Sequence, residues 1–310
     1  MNITILGAGA IGSLWAHHLA NAGHNVSLWL RHSNTSSLTL TLFEDNEIAS
    51  TSKYLEKNKQ ACNEFFTNNL AQLKASDLIL ITVKAWQVEQ ALTPILDHLI
   101  PETILVFMHN GMGAVDELPE QVDRHPIVVA TTTHGAYKPS NDQVLHTGVG
   151  MTMLGGNNLL GKQCHFLADV FDHALASASW TGSIQTALWH KLAINCVINP
   201  LTALHQCLNG ALLNYQYTAQ IQTIVAELCA VMQAEKIVMT EQNLFDRVIN
   251  VVKATANNHS SMQQDIVHQR RTEIDYINGY LCRTARQHQI NVPANQDLYS
   301  RIKTIEQSWS

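Results

Sequence analysis

Lys191, Asn195 and Asn199 stand four residues apart in "LWHKLAINCVINPL". In a helix this spacing puts them on one face, drifting by about 40° per step. Around them lie Leu188, Leu192, Ile194, Val197 and Ile198, so the helix is mostly apolar. An ammonium and two amides are costly there unless they find partners. The face either points to solvent or lines a cleft that faces a bound cofactor. Pro200 follows Asn199 directly and is expected to end or kink the helix, freeing carbonyls. Further along, Asn258 and Ser261 are three apart, and Glu273 lies about three turns beyond them. On spacing alone, each of these also reads as an ordinary surface residue.

The N-terminus holds a second constellation. "ITIL" (3–6) runs into Gly7, Ala8, Gly9, Ala10, Ile11 and Gly12, a GxGxxG turn that opens a helix. Gly7 permits the tight turn, Gly9 lets backbone approach a pyrophosphate, and Gly12 lets helix and strand pack closely. The start of the helix then presents free N–H groups to the phosphates. A chance glycine turn can look the same, but the strand before it and the helix after it are what dinucleotide binding requires. The next strand, "NVSLWL" (25–30), ends at Arg31, His32 and Ser33, with no carboxylate. An NAD site normally places Asp or Glu at this point, to accept from the ribose 2′-OH. A guanidinium pairs instead with a 2′-phosphate through two hydrogen bonds. Arg31 therefore indicates NADP, unless it is a solvated arginine at a strand end. Lys84 closes "LILITVK" and Asn110 lies in "HNGMG". Both follow strands whose C-terminal ends line the cofactor crevice of an open α/β sheet.

The elements that must position these residues fall into two textures. Up to about residue 180, apolar strands at 3–6, 25–30, 126–137 and 148–156, one that opens the stretch 76–92 and one that opens 103–113 alternate with helical segments. Continuously apolar strands of this kind indicate a mostly parallel sheet covered on both faces. Residues 33–70 are polar and irregular, which predicts weaker strands and loops. From 183 on, the apolar residues keep a helical period, and long amphipathic helices are predicted over 184–204, 217–235 and 259–289. We therefore read residues 1–181 as an α/β Rossmann-type, NADP-binding domain and 182–310 as an all-helical substrate and catalytic domain.

The bulk numbers agree with this reading. The chain has 310 residues, is 46% apolar and 14% charged, and carries a net charge of −6. Its 19 Lys and Arg form no basic run, which argues against nucleic acid. No run of eighteen apolar residues and no signal-peptide pattern is visible, so a cytoplasmic protein without a membrane partner is expected. The six cysteines form no CxxC and read as reduced thiols. Sixteen histidines are many, yet no HExxH or Cys/His cluster has zinc spacing, and no metal is expected.

Seven stretches together carry a family resemblance: "GAGAIGSLW", "TVKAWQV", "HNGMG", "TTTHGA", "WHKLAINCVINPLTA", "NHSSMQQDI" and "RRTEIDYINGYL". The chain resembles the ketopantoate reductases (2-dehydropantoate 2-reductases) from residue 1 to about 295. The resemblance implies NADPH-dependent reduction of 2-dehydropantoate to pantoate, on the route to pantothenate and coenzyme A. It implies a general acid at Lys191 and, at Glu273, a residue that assists catalysis at the nicotinamide end. Substrate contacts are implied at Asn110, Lys191, Asn195, Asn199, Asn209, Asn258 and Ser261. Cofactor contacts are implied at Gly7 to Gly12, Arg31, Lys84, Asn110, Ala136 and Glu273. Two alternatives stay open: another NADP-dependent 2-oxoacid or hydroxyacid oxidoreductase, and a non-enzymatic NADPH-binding regulator. Monomer and homodimer are equally compatible with the sequence.

Overall fold

The structure, a computed structural model, describes residues 1–32, 35–44 and 59–309. Contacts divide the chain into two compact units: Met1–His109 with Val115–Ile184, and Asn110–Ala114 with Gln185–Ser310.

The first unit is built on one eleven-stranded sheet. Its strands are β1 (Asn2–Leu6), β2 (Asn25–Trp29), β3 (Ser37–Glu44), β4 (Lys59–Thr67), β5 (Leu78–Ile81), β6 (Ile104–Phe107), β7 (Ile127–Thr132), β8 (Gly135–Ser140), β9 (Gln143–Gly148), β10 (Thr152–Gly156) and β11 (Ala178–Trp180). Their order across the sheet is β11-β10-β7-β6-β5-β1-β2-β4-β3-β9-β8. The central six, β4-β2-β1-β5-β6-β7, are all parallel. β5, β6 and β7 are buried along their whole length, as expected of strands covered on both faces. The strand order reverses between β1 and β5, the place where a doubly wound sheet opens a crevice at its strand C-termini. Helices α1 (Ala10–Asn21), α2 (Leu70–Lys74), α3 (Val88–Leu92) and α4 (Leu167–Ala174) complete the unit.

The apolar run 126–137 is not the single strand that the sequence predicted. β7 stops at Thr132, and β8 starts at Gly135 on the far edge of the sheet, paired with β9. Between them the chain turns at Thr133 and His134, where the His134 backbone N–H bonds the Thr132 hydroxyl. The polar region at 33–62 lies partly outside the described residues, Ser33 included. Its described parts, β3 and β4, form an antiparallel pair.

The second unit is helical: α5 (Ile184–His205), α6 (Thr218–Ala234), α7 (Glu241–Ala254), α8 (Ser261–Val267), α9 (Asn278–Gln287) and α10 (Pro293–Gln307). Its core gathers Trp189, Leu192, Cys196, Val197 and Leu201 of α5 with Leu228 of α6, Val248 of α7 and Leu281 of α9. One prediction fails here, and a second is met only in its freed carbonyl. The stretch 259–289 is not one helix: α8 ends before Gln269, whose φ is +50°, and α9 begins only at Asn278. The intervening "HQRRTEIDYI" (268–277) leaves the helical path at the left-handed Gln269 and buries Thr272, Ile274 and Ile277 around the 3-10 turn Ile274–Tyr276 instead. Nor does Pro200 end α5, which continues to His205. Pro200 cannot donate to the carbonyl four residues back, that of Cys196. The buried Asn278 side chain supplies the missing donor, its Nδ2 lying 3.0 Å from the Cys196 oxygen. Among the described residues, no helix is long and apolar enough to cross a membrane.

Candidate active site

The glycine turn fits a pyrophosphate. Gly7 has φ +97°, and a Cβ on Gly12 would collide with the Gly7 carbonyl oxygen and the Thr82 hydroxyl. That hydroxyl donates to the Gly7 carbonyl at 2.9 Å, tying the turn to the residue after β5. A Cβ on Gly9, by contrast, would meet nothing within 4 Å. Two glycines therefore serve the turn itself, and the third leaves open space in front of it, as a cradle requires. Gly9 is also the N-cap of α1, and no side chain caps the helix there, so its first amide groups keep their donor capacity.

Arg31 follows the end of β2 and is exposed. Lys84 follows β5 and opens a 3-10 turn at Ala85–Gln87, its backbone N–H donating to Gln87 Oε1 at 3.1 Å. Ala136 is a partly buried residue of β8, packed on the sheet core. Two residues further, Lys138 does what the sequence reading missed. Its Nζ donates to the Ala8 carbonyl at 2.7 Å and approaches Ser13 Oγ at 3.3 Å, placing a cation against the glycine turn. Burial holds its pKa below the ordinary lysine value, with Asp142 opposing. The one sequence signal was a lysine in step with Ala136 on a short strand.

In the helical unit the structure joins residues that are far apart in sequence. Asn110 donates from Nδ2 to Glu273 Oε2 at 3.1 Å. Its loop is pinned to the same region, because Met112 N–H donates to the Tyr276 carbonyl at 2.8 Å. Gly111 has φ +78°, and a Cβ on it would strike that same carbonyl. Glu273 is 5% exposed and precedes the 3-10 turn Ile274–Tyr276. Lys191 is partly buried on α5 and interacts with the Glu273 carboxylate. Desolvation pushes its pKa down to about 8, and the carboxylate offsets that only in part. Along the same face Asn195 is partly buried and Asn199 is 6% exposed, so the stripe is not a solvated one.

The remaining candidates form a second cluster. Asn209 donates from Nδ2 to Thr255 Oγ1 at 2.9 Å, and its backbone N–H donates to the Asn258 carbonyl at 3.0 Å. Its Oδ1 is buried with no hydrogen-bond partner. Asn258 and Ser261 are exposed. The buried serine at this point is Ser260, which caps α8 and pairs with Thr202 Oγ1 at 2.7 Å, fixing Ser261 to the C-terminal half of α5.

An α/β unit with a glycine turn shaped for a phosphate, joined in sequence to an all-helical unit with a desolvated lysine beside a buried glutamate, defines a two-unit dinucleotide-fold class. Residues 3–158 match the family described as ketopantoate reductase PanE/ApbA, and residues 183–306 match its C-terminal domain. A 2-dehydropantoate 2-reductase of Vibrio cholerae serotype O1 is 53% identical over 310 residues, covering 100% of this chain and 99% of that one. The chain belongs to the ketopantoate reductase PanE/ApbA family. A PanE/ApbA family ketopantoate reductase from Ralstonia eutropha shares the fold at TM-score 0.84 and 24% identity, over 99% of each chain. D-mandelate dehydrogenase, solved with NADH and anilino(oxo)acetate, shares it at TM-score 0.83 and 23% identity, also over 99% of each chain.

Proposed function

We propose that this protein reduces 2-dehydropantoate to pantoate with NADPH, in the cytoplasm, on the route to pantothenate and coenzyme A. The observation that carries the reading is the Lys191–Glu273–Asn110 constellation, in which an ammonium is desolvated next to a carboxylate that is itself held by an amide. Membership of the family and 53% identity to a 2-dehydropantoate 2-reductase support the same substrate.

The dinucleotide would be held by Gly7 to Gly12 and the start of α1, with Arg31 for the 2′-phosphate, and with Lys84, Asn110, Ala136 and Glu273 as further contacts. Lys138 would add positive charge at the same glycine turn. Once bound, the reduced nicotinamide supplies a hydride for the C2 ketone. As negative charge builds on the ketone oxygen, the Lys191 ammonium stabilises it and gives up a proton, leaving a neutral amine and a C2 hydroxyl. General acid help of this kind is worth about 10²–10⁴-fold, and a desolvated cation adds electrostatic stabilisation. A lysine with a pKa of about 8 is well matched, being mostly protonated near neutrality and a stronger acid than an ordinary lysine. Glu273 keeps that proton in place, and Asn110 orients Glu273. Ser261, Asn195, Asn199 and Asn258 offer neutral donors to the substrate. Asn209 commits an amide N–H to Thr255 and retains a buried acceptor, suited to a substrate hydroxyl.

A panel of 2-oxoacids, followed by NADPH absorbance, tests the assignment. The kcat/KM for 2-dehydropantoate should exceed that for an aryl 2-oxoacid such as benzoylformate by at least about tenfold. The fold likeness to D-mandelate dehydrogenase makes benzoylformate the informative competitor, and a preference for it would overturn the substrate assignment.

A further inference from the structure

Three residues of the first unit, remote in sequence and away from the glycine turn, bring metal-ligating atoms together. His18 lies on α1, Glu44 at the end of β3 and His146 on β9. Glu44 and His146 are register partners in the parallel β3–β9 pair, which sends both side chains to the same face. His18 meets them there, its ring centroid 6.0 Å from that of His146 and its Nε2 3.7 Å from Glu44 Oε1. One ligand atom from each of the three lies within 4.8 Å of the others.

Proton bookkeeping makes this more than a cluster. His18 bonds the Ala174 carbonyl, while its Nε2 is buried without a hydrogen-bond partner, so the proton sits on Nδ1 and Nε2 keeps a lone pair. His134 Nδ1 accepts from the Gly150 backbone N–H at 3.1 Å. It can therefore only accept from His146 Nε2, also at 3.1 Å, and His146 carries its proton on Nε2, which leaves Nδ1 with a lone pair. Each imidazole thus spends one nitrogen on an outer partner and keeps the other basic, the arrangement that orients metal-ligating histidines. One imidazole nitrogen from each histidine and a carboxylate oxygen, all within 4.8 Å of one another, form a donor set that a cation can join.

We propose that His18, Glu44 and His146 bind one divalent transition-metal ion of the zinc type. Three N/O ligands plus a water give the four-coordinate shell that zinc takes. A triangle with 4.8 Å edges has its centre about 2.8 Å from each corner, so each atom must move in by at most about 0.8 Å to reach bond lengths of 2.0–2.1 Å. The ion would clamp the β3–β9 pair to α1, the helix that follows the glycine turn.

The test uses the full chain after chelator treatment, titrated with Zn²⁺ by calorimetry and with Co²⁺ by visible absorption. The parent should take up one equivalent of Zn²⁺, show the intense d–d bands of four-coordinate Co²⁺, and melt at higher temperature with Zn²⁺ present. Glu44→Gln and His18→Gln, each verified as folded by circular dichroism, should weaken Zn²⁺ by at least about 100-fold and lose the bands and the thermal shift. NADPH affinity of metal-free Glu44→Gln should equal that of the metal-free parent. Absence of saturable uptake by the parent would overturn the site. So would uptake and spectra unchanged in both folded variants, since the ion would then sit on other histidines.

Discussion

Pro200 and Asn278 make a pair whose energetics can be worked out in advance. Pro200 deprives the Cys196 carbonyl of its helical donor, and Asn278 Nδ2 replaces it at 3.0 Å while also reaching Asn295 Oδ1 at 3.1 Å. Asn278 is fully buried, so water cannot take over. Asn278→Ala leaves the Cys196 carbonyl unsatisfied, at about 1–3 kcal/mol, and loses a second bond of about 0.5–1.5 kcal/mol. The expected cost is roughly 2–4 kcal/mol. Pro200→Ala restores an N–H in α5 that can reach the same carbonyl. In that background Asn278→Ala should therefore cost less, by about 1–2 kcal/mol. The assay is a four-protein double-mutant cycle in urea, followed by far-UV circular dichroism. A coupling energy within about 0.5 kcal/mol of zero would mean that Asn278 does not stand in for the missing amide.

Two further outcomes follow from the cofactor cradle. Arg31→Ala should raise the KM for NADPH at least about tenfold and leave that for NADH nearly unchanged, because the lost contact is charge-assisted and specific to the 2′-phosphate. Equal changes in both would show that Arg31 does not read the phosphate. Lys138→Met should weaken NADPH and NADH alike in equilibrium fluorescence titrations, by about fivefold or more, since its ammonium braces the turn that we propose cradles the shared pyrophosphate. Unchanged affinity for both would remove Lys138 from the site.

Much of the fold was legible because burial imposes a period. β5, β6 and β7 are buried on both faces and read as continuous apolar runs, and α5 and α6 announce themselves by helical spacing. What was not legible depends on partners far along the chain. Nothing local to Pro200 says that Asn278 will satisfy the carbonyl it exposes, or that α5 will run on to His205. Nothing in "PIVVATTTHGAY" says that its last residues cross to the opposite edge of the sheet to pair with β9. At the site, the glycine turn and the lysine–asparagine stripe could be seen as spacings. The Asn110–Glu273 bond spans 163 residues and could not, and the same holds for Lys138 against Ala8 and for His18, Glu44 and His146.

The central claim is that Lys191 donates the proton. Its pKa is lowered to about 8 by desolvation, so the donor form is present below that value and is lost as pH rises through it. The decisive measurement is single-turnover oxidation of bound NADPH by 2-dehydropantoate, from about pH 6 to 10, in the parent and in Lys191→Ala. The parent should be fastest at low pH and fall through a limb near 8. Lys191→Ala should be slower by about 10²–10⁴-fold at neutral pH and lack that limb, with NADPH affinity little changed. A variant that keeps the parent's rate, or a parent with no falling limb, would contradict the assignment.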